Sequence, residues 1–381
     1  MAMIRTCAGD PSAWLIQYQA HRPLFACILS FTETGTIQHI SAAGTTPDAR
    51  RYTALADGEL LSVGRSYHRL PPLKAGVSPA IISRAVLSRQ NIPVHLLSTG
   101  LPDALKAPHI ALPKVIAQSV KTGQAMTYDQ VKALFESGLY WGHRLAQQCL
   151  DSYLILSECV VGGTTTAQAV LTALGYNVAD RMSSSRHTSN HQQKRSLVEQ
   201  GLRCWRSRHS FSSDFSPLAA IAAVGDPMQA VAAGVVLSAS KHVGILLAGG
   251  SQMLAVYAIA QALSGEGHIQ NRQLQSRWFQ NRWFQNRWLQ NKQRVVVGTT
   301  RWVVEDTSAD TVAIARAIGA PYLASEINFS RSPYFQLRAY ERGFVKEGVG
   351  AGGCAIASHL YKKWTNAQLR HAVESELRKS S

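Results

Sequence analysis

Two short stretches of the chain combine one carboxylate with a run of small residues. They are residues 158–166, ECVVGGTTT, and residues 347–353, EGVGAGG. Small residues let the backbone approach a ligand closely, and a carboxylate can take a proton or stabilise a positive charge. The first stretch opens an expected helix, where unpaired N–H groups and the helix dipole favour an anion. Together they predict a phosphate site with an acidic side chain beside a reacting nitrogen or sugar carbon.

The candidate site residues are small, hydroxyl-bearing or acidic, and they fall near the expected ends of strands. Glu347 is the candidate general base, because a carboxylate enclosed among glycines can have a raised pKa. The candidate substrate-binding residues are Glu158, Gly162, Gly163, Thr164, Thr165, Gly249, Gly250, Ser251, Gln252, Gly348 and Gly350. Purely structural interpretations stay open: a strand-to-helix turn with a threonine N-cap, and a glycine-rich turn beside Lys346. Asp226 is most simply a helix N-cap.

Composition indicates a globular protein with a large interior. The 381 residues are 46% hydrophobic and 16% charged, which is enough chain for two or three domains. The formal net charge of +16 favours anionic partners such as nucleotides, nucleic acid or an acidic membrane surface. Six scattered cysteines without a C-x-x-C pair predict reduced thiols in a cytoplasmic protein. No apolar run approaches the ~20 residues of a spanning helix, and His187, His191 and His209 lack metal-ligand spacing.

Apolar runs, glycine turns and helical patterns alternate along the chain. Strands are predicted at 24–31, 59–63, 94–97, 151–157, 243–248 and, as one strand or a pair, at 294–297 and 301–304. Helices are predicted at 79–89, 128–142 with following turns to 150, 166–174, 192–201, 217–224, 228–240, 253–263 and 309–319. This alternation predicts βαβ units in a mostly parallel sheet. Ligands of such sheets bind beyond the carboxyl ends of the strands, where the glycine motifs fall.

A pentapeptide repeat, RWFQN RWFQN RWLQN, occupies residues 277–291. A period of five matches neither helix nor strand, so the repeat presents no continuous apolar face. Stacked aromatics with arginines are typical of single-stranded nucleic-acid binding. A low-complexity insertion in a surface loop, at about 268–292, is the interpretation we favour, since loops tolerate added length.

Several ordered blocks resemble one enzyme family. Residues 41–59, 158–175, 190–194, 225–229, 247–255 and 337–353 are similar to the nicotinate-nucleotide–dimethylbenzimidazole phosphoribosyltransferases of cobalamin assembly, in their archaeal and cyanobacterial branch. The resemblance implies transfer of phosphoribose from nicotinate mononucleotide to a nitrogen of a benzimidazole. It also implies that the reaction needs no metal or organic cofactor. Residues 346–351 match the family's base motif, which places the general base at Glu347, and residues 158–165 match its phosphate and ribose segment.

The resemblance further implies a Rossmann-like, mostly parallel α/β sheet with flanking helices, usually in a homodimer. A smaller helical domain is expected from residues 1–40 and 335–381, and a nucleotide-binding domain from residues 41–334. The chain departs from the family pattern at Val160, Gly163 and Val349. These departures leave open transfer to adenine or another base, and a nucleotide-binding homologue without catalysis. The expected partners are nicotinate mononucleotide and a purine or benzimidazole base, with no membrane and no nucleic acid.

Overall fold

The computed structural model describes residues 3–70, 73, 75–208, 216–264 and 292–380. An eight-stranded sheet lies at its centre, in the order β1-β8-β7-β6-β5-β2-β3-β4. The strands are β1 Ile4–Ala8, β2 Leu24–Ser30, β3 Val94–Thr99, β4 Ile110–Ala111, β5 Tyr153–Cys159, β6 Gly244–Ala248, β7 Val295–Thr300 and β8 Tyr322–Ser325. All neighbours pair in parallel except β1 and β8, which are antiparallel. The predicted class of a mostly parallel α/β sheet is therefore confirmed.

Helices cover both faces of the sheet. They are α1 Ser12–Gln17, α2 Pro47–Arg51, α3 Thr53–Val63, α4 Ala80–Arg89, α5 Tyr128–Ala146, α6 Gly163–Ala173, α7 His191–Arg208, α8 Pro217–Val224, α9 Pro227–Ala239, α10 Ser251–Leu263, α11 Arg301–Val304, α12 Thr311–Ile318, α13 Phe335–Arg338, α14 Ala351–Lys362 and α15 Asn366–Ser380. Every residue of β2, β5, β6 and β7 is buried. Strands covered on both faces need side chains that suit two cores, which explains their continuous apolar runs.

Strand β2 shows how the two cores divide. Leu24, Ala26 and Ile28 belong to the core that α5, α6, α9 and α10 cover. Phe25 and Leu29 belong to the opposite core, under α3, α4 and α14. Successive side chains of a strand point to opposite faces, so one short apolar run contributes to both.

Two predicted strands are wrong. Residues 59–63 are the second half of helix α3, which ends at Gly64 with a φ of 77°. That helix is buried on nearly all sides, so its sequence has no amphipathic period to distinguish it from a strand. Residues 301–304 form the short helix α11 directly after β7, not a strand. The predicted N-cap at Asp226 is confirmed, because its side chain accepts a hydrogen bond from the Gln229 backbone in a capping box.

The chain ends contribute to the sheet as well as to helices. Strands β1 and β2 lie within residues 1–40, and helices α14 and α15 pack against α4 beside the sheet. The boundaries of a smaller domain therefore stay a prediction. The pentapeptide repeat, nearly all of the expected insertion and His209 lie outside the described residues.

The structure bears on the state of the cysteines, on metal binding and on membrane crossing. All six cysteines are free, and Cys27, Cys149, Cys159 and Cys354 are buried. Within the described residues, no group of His, Cys, Asp or Glu side chains is arranged to hold a metal ion. None of the helices in the same part of the chain has both the length and the apolar character that crossing a membrane requires.

Helices α5 and α9 approach each other through glycines. A Cβ added at Gly138 would lie 2.2 Å from the carbonyl oxygen of Val231, and one at Gly234 would lie 2.3 Å from that of Phe135. Both distances are far shorter than a carbon can tolerate, so these positions need glycine to keep the two helices in contact.

Substitution of Gly138 tests this contact, because two effects of opposite sign compete. Alanine in a helix interior is favoured over glycine by about 0.5–1 kcal/mol, whereas overpacking a filled interface costs about 1–3 kcal/mol. We expect Gly138→Ala to lower the free energy of unfolding by about 1–2 kcal/mol in urea denaturation. Lys132→Ala, on the exposed side of α5, serves as the control. A stabilised Gly138→Ala variant would contradict the close approach.

Candidate functional site

A cavity of about 370 Å³ opens at the carboxyl ends of β5 and β6. Its wall combines the segment after β5, the first turn of α10, part of α3, residues 76–79, residues 183–185 and residues 345–349. Sequence-distant segments meet here because the carboxyl ends of parallel strands share one edge of the sheet. The volume lies within the range of pockets that bind small molecules.

The turn from β5 into α6 forms one corner of the cavity. Gly162 is the N-cap of α6, with a φ of 89°, and no side chain caps the helix. A Cβ at Gly162 would lie 2.7 Å from the backbone nitrogen of Gly35, and one at Gly163 would lie 1.7 Å from Oε1 of Gln252. Gly162 therefore requires glycine, whereas a side chain at Gly163 would meet the flexible end of Gln252. The alternative of a threonine N-cap is wrong, and the uncapped helix start faces the cavity through Gly162 and Thr164.

Glu158 is a buried carboxyl group at the end of β5, and the residue is 5% exposed. Its Oε1 accepts a hydrogen bond from Nε2 of Gln252, and its Oε2 accepts one from the backbone of Val160, both at 2.9 Å. Burial, followed by the negative charge of Asp226, raises the pKa of Glu158 to about 8. The group is therefore largely protonated at neutral pH.

Glu347 is anchored by four hydrogen bonds. Its Oε2 accepts from Oγ1 of Thr299 and the backbone N–H of Thr300, each at 2.9 Å. Its Oε1 accepts from the backbone N–H groups of Gly348 and Gly352, each at 3.1 Å. Burial raises the pKa of Glu347, while the hydrogen bonds, that of Gly352 foremost, oppose the rise. The carboxylate thus joins the end of β7 to the start of α14 at the cavity wall.

The backbone around Glu347 is strained. Val345, Lys346 and Val349 have φ values of 67°, 66° and 52°, a region that residues other than glycine rarely adopt and β-branched ones least of all. Such conformations cost on the order of 1–3 kcal/mol each and persist only where neighbours hold them. Here Oγ1 of Thr300 donates to the Lys346 carbonyl at 2.6 Å, and Oγ of Ser83 donates to the Val349 carbonyl at 2.7 Å.

A buried ion pair holds the same segment from behind. Nζ of Lys346 lies 2.6 Å from Oδ2 of Asp306, and both side chains are almost fully buried. Burial acts to raise the pKa of Asp306, yet hydrogen bonds from Lys346 and Ser308 bring it below its ordinary value. The charge of Lys346 is therefore already balanced, although this residue lines the cavity.

Asp57 is a cavity residue that the sequence analysis missed. It lies on α3 and is 4% exposed. Oγ of Ser78 donates to its Oδ1 at 2.6 Å, and Sγ of Cys159 donates to its Oδ2 at 3.6 Å. Burial raises the pKa of Asp57 to about 6. Asp57 could have been recognised as an acidic residue within an otherwise apolar run. The incorrect assignment of residues 59–63 to a strand obscured that pattern.

Lys194, on α7, was also missed. It is fully buried, and its Nζ has no hydrogen-bond partner among the described residues. Burial, followed by the positive charge of Lys346, lowers the pKa of Lys194 to about 7. The charge of Asp306 acts in the opposite direction, and Lys194 is not among the residues that line the cavity.

Most of the candidate site residues from the sequence meet in this cavity. Those that line it are Glu158, Gly162, Thr164, Gly250, Ser251, Gln252, Glu347 and Gly348. Gly163, Thr165, Gly249 and Gly350 are buried behind the wall. Gly350 is the N-cap of α14, and a Cβ there would lie 2.7 Å from Cβ of Ser157. Their close packing shapes the wall, while the binding role of every candidate stays a prediction.

Sequence comparison links the chain to proteins of similar length. A profile described as a phosphoribosyltransferase matches residues 85–268. A UPF0284 protein of Gloeothece citriformis is 48% identical over 100% of this chain and 98% of its own length. A UPF0284 protein of Nostoc sp. is 46% identical over 100% of this chain and 99% of its own.

Two solved structures from Thermus thermophilus share the fold. One is described as a nicotinate-nucleotide–dimethylbenzimidazole phosphoribosyltransferase, with a TM-score of 0.53 and 14% identity over 95% of this chain and 84% of that chain. The other, described as CobT, has a TM-score of 0.55 and 15% identity over 94% and 90%. At these identities the likeness establishes the fold alone.

The raised pKa of Glu158 makes its contribution to stability depend on pH. The folded pKa of about 8 lies above the ordinary 4.5, so the stabilising contribution of the bound proton is complete below the lower value. It is lost as pH rises through the higher value. Glu158→Gln does not titrate. We therefore expect its free energy of unfolding, relative to the parent, to increase by at least about 1 kcal/mol between about pH 5 and pH 8.

Denaturation series at several pH values measure this difference. Glu136→Gln, at an exposed position of α5, provides the baseline. A difference between Glu158→Gln and the parent that stays constant with pH would mean that Glu158 is ionised throughout and the raised pKa is wrong.

Proposed function

Because the chain belongs to the UPF0284 family and matches a phosphoribosyltransferase profile, we propose that it transfers phosphoribose from nicotinate mononucleotide to a nitrogen of a benzimidazole or purine base. The observation that carries this proposal is the shared cavity, in which Glu158, Glu347 and the uncapped start of α6 face the same space. Separate binding elements for a phosphate and for a developing positive charge are what such a transfer needs.

The phosphate end of the donor belongs, in this proposal, at the α6 corner. The helix dipole and the glycine backbone of Gly162 and Gly163 favour an anion there. We assign the positive charge there to Lys194, which is buried on the neighbouring helix α7 and lies outside the cavity lining. A bound phosphate would balance that charge and raise the lowered pKa of the amine again.

The reaction breaks the bond between C1′ of the ribose and the ring nitrogen of nicotinate. Nicotinate leaves with the electron pair of that bond, and the acceptor nitrogen attacks C1′ from the opposite face. The proton on the acceptor nitrogen passes to a carboxylate, for which Glu347 is our assignment. Since Glu347 already accepts four hydrogen bonds, one of them must be released when it takes the proton.

The four hydrogen bonds that Glu347 accepts favour a second candidate function. A carboxylate whose two oxygens each accept two hydrogen bonds has no free lone pair to take a proton, which suits a structural role better than that of a base. The departures at Val160, Gly163 and Val349 from the family pattern point the same way. The second candidate is a protein that binds the nucleotide in this cavity without turning it over.

Substitution of Glu347 separates the two candidates. If Glu347 takes the proton, we expect Glu347→Gln to lower the rate of nicotinate release by about 10²–10⁴. Affinity for nicotinate mononucleotide, measured by calorimetry, should stay within about threefold of the parent because the phosphate end is untouched. Glu136→Gln is the control. Turnover of Glu347→Gln at the parental rate contradicts the assignment, and donor binding without nicotinate release from the parent supports the second candidate.

Lys194 gives an independent test of the phosphate site. Lys194→Met removes a buried amine that makes no hydrogen bond among the described residues and keeps the length of the side chain, so we expect the free energy of unfolding to rise by about 1–3 kcal/mol. Affinity for nicotinate mononucleotide should fall at least about tenfold. Affinity for nicotinate riboside, which lacks the phosphate, should not change. An equal loss for both ligands would place Lys194 away from the phosphate.

A further inference from the structure

We propose that Asp57 and Ser78 select the acceptor, and that they favour a nitrogen heterocycle carrying an exocyclic amino group over one that presents methyl groups or a carbonyl. This inference rests on the proposed function, because it identifies the end of the same cavity that receives the acceptor. It goes further by assigning a specificity-determining pair and the chemical class of the base.

The position of the pair follows from the packing of two segments. A Cβ added at Gly348 would lie 2.9 Å from Cγ of Pro79, and one at Gly76 would lie 2.9 Å from Cγ2 of Val345. Residues 76–79 and 345–349 therefore form one continuous wall. Ser78 lies in the first segment and Glu347 in the second. The pair of Asp57 and Ser78 therefore lies on the same side of the cavity as Glu347, the proposed general base.

Apolar side chains make this part of the cavity suitable for an aromatic ring. Leu70, Leu73, Val77, Val345 and Val349 line the cavity and belong to or pack against one hydrophobic cluster. Apolar and aromatic surfaces bury well against such side chains, and a few polar groups then fix the orientation. Asp57 and Ser78 are polar groups of this kind within that lining.

The carboxylate of Asp57 faces the cavity without a cation. Its hydrogen bonds come from the hydroxyl of Ser78 and the thiol of Cys159, which are both neutral. Among the described residues, no Lys, Arg or His forms a salt bridge with it. Since burial raises the pKa of Asp57 only to about 6, the group is largely ionised at neutral pH and can only accept further hydrogen bonds.

Acceptor heterocycles that carry an amino group, a methyl group or a carbonyl interact differently with this carboxylate. An amino group donates to it and satisfies its remaining acceptor capacity. A methyl edge leaves it desolvated and without a partner, and a carbonyl oxygen repels it. A site with a buried polar group discriminates strongly against ligands that leave that group unpaired. The carboxyl oxygens of Glu347 in the same lining add to the preference for donors, since Lys346 is neutralised by Asp306.

Three matched purines test the inference on the full chain. Adenine carries the amino group, purine lacks it, and hypoxanthine has a carbonyl in its place. With nicotinate mononucleotide bound, we expect calorimetry to show adenine binding at least about tenfold more tightly than purine, with hypoxanthine weakest. Equal binding of adenine and purine, or binding of none of the three, would overturn the inference without any variant being made.

Asp57→Asn then tests the residue itself. The amide offers N–H donors where the parent offers only acceptors, so we expect the ratio of adenine to purine affinity to fall at least about fivefold and hypoxanthine to bind more tightly than in the parent. Asp103→Asn, an exposed carboxylate outside the cavity lining, is the matched control. Unchanged ratios in a folded Asp57→Asn protein would contradict the assignment. If that variant does not fold, the order of the parent's affinities for the three purines still tests the preference for an amino group.

Nicotinate release, measured in parallel with the same bases, separates this inference from the proposed function. Selective binding of adenine without release from any base leaves the recognition intact and refutes the transfer. Release that occurs equally with adenine, purine and dimethylbenzimidazole supports the transfer and refutes the selection by Asp57.

Discussion

The structure around the cavity depends on how one carboxylate is held. Glu347 accepts hydrogen bonds from the end of β7 and from the start of α14, and so connects the sheet edge to the C-terminal helices. The strained backbone on either side of it is kept in place by Thr300, Ser83 and the buried pair of Lys346 with Asp306. Strain that is held by so many neighbours is typical of sites where a side chain must stand in one orientation.

A second feature is the number of ionisable side chains that are buried in or near the cavity wall. The acidic side chains of Asp57, Glu158 and Glu347 line the cavity, while the amine of Lys194 is buried without a partner among the described residues. Burying such groups is unfavourable unless they are paired. A ligand with a phosphate at one end and N–H donors at the other would satisfy both, and binding it would recover the cost of their desolvation.

The sequence allowed prediction of those cavity residues that have a recognisable local pattern. Glu158 and Glu347 were found because a carboxylate beside a glycine run is readable within a few residues. Asp57 was hidden because α3 is buried on nearly all sides and so lacks a period. Lys194 was missed because it stands in a polar stretch of sequence, and lysines are rarely fully buried. Strand β1 was missed because it is short and pairs only with β8, more than 300 residues away in the chain.

The most direct measurement is nicotinate release by the purified full chain, supplied with nicotinate mononucleotide and a base. Phosphoribosyl transfer predicts release that depends on the added base and that yields one base nucleotide for each nicotinate. No release with any base, or release that continues without one, would contradict the transfer and leave a cavity that only binds or hydrolyses the nucleotide.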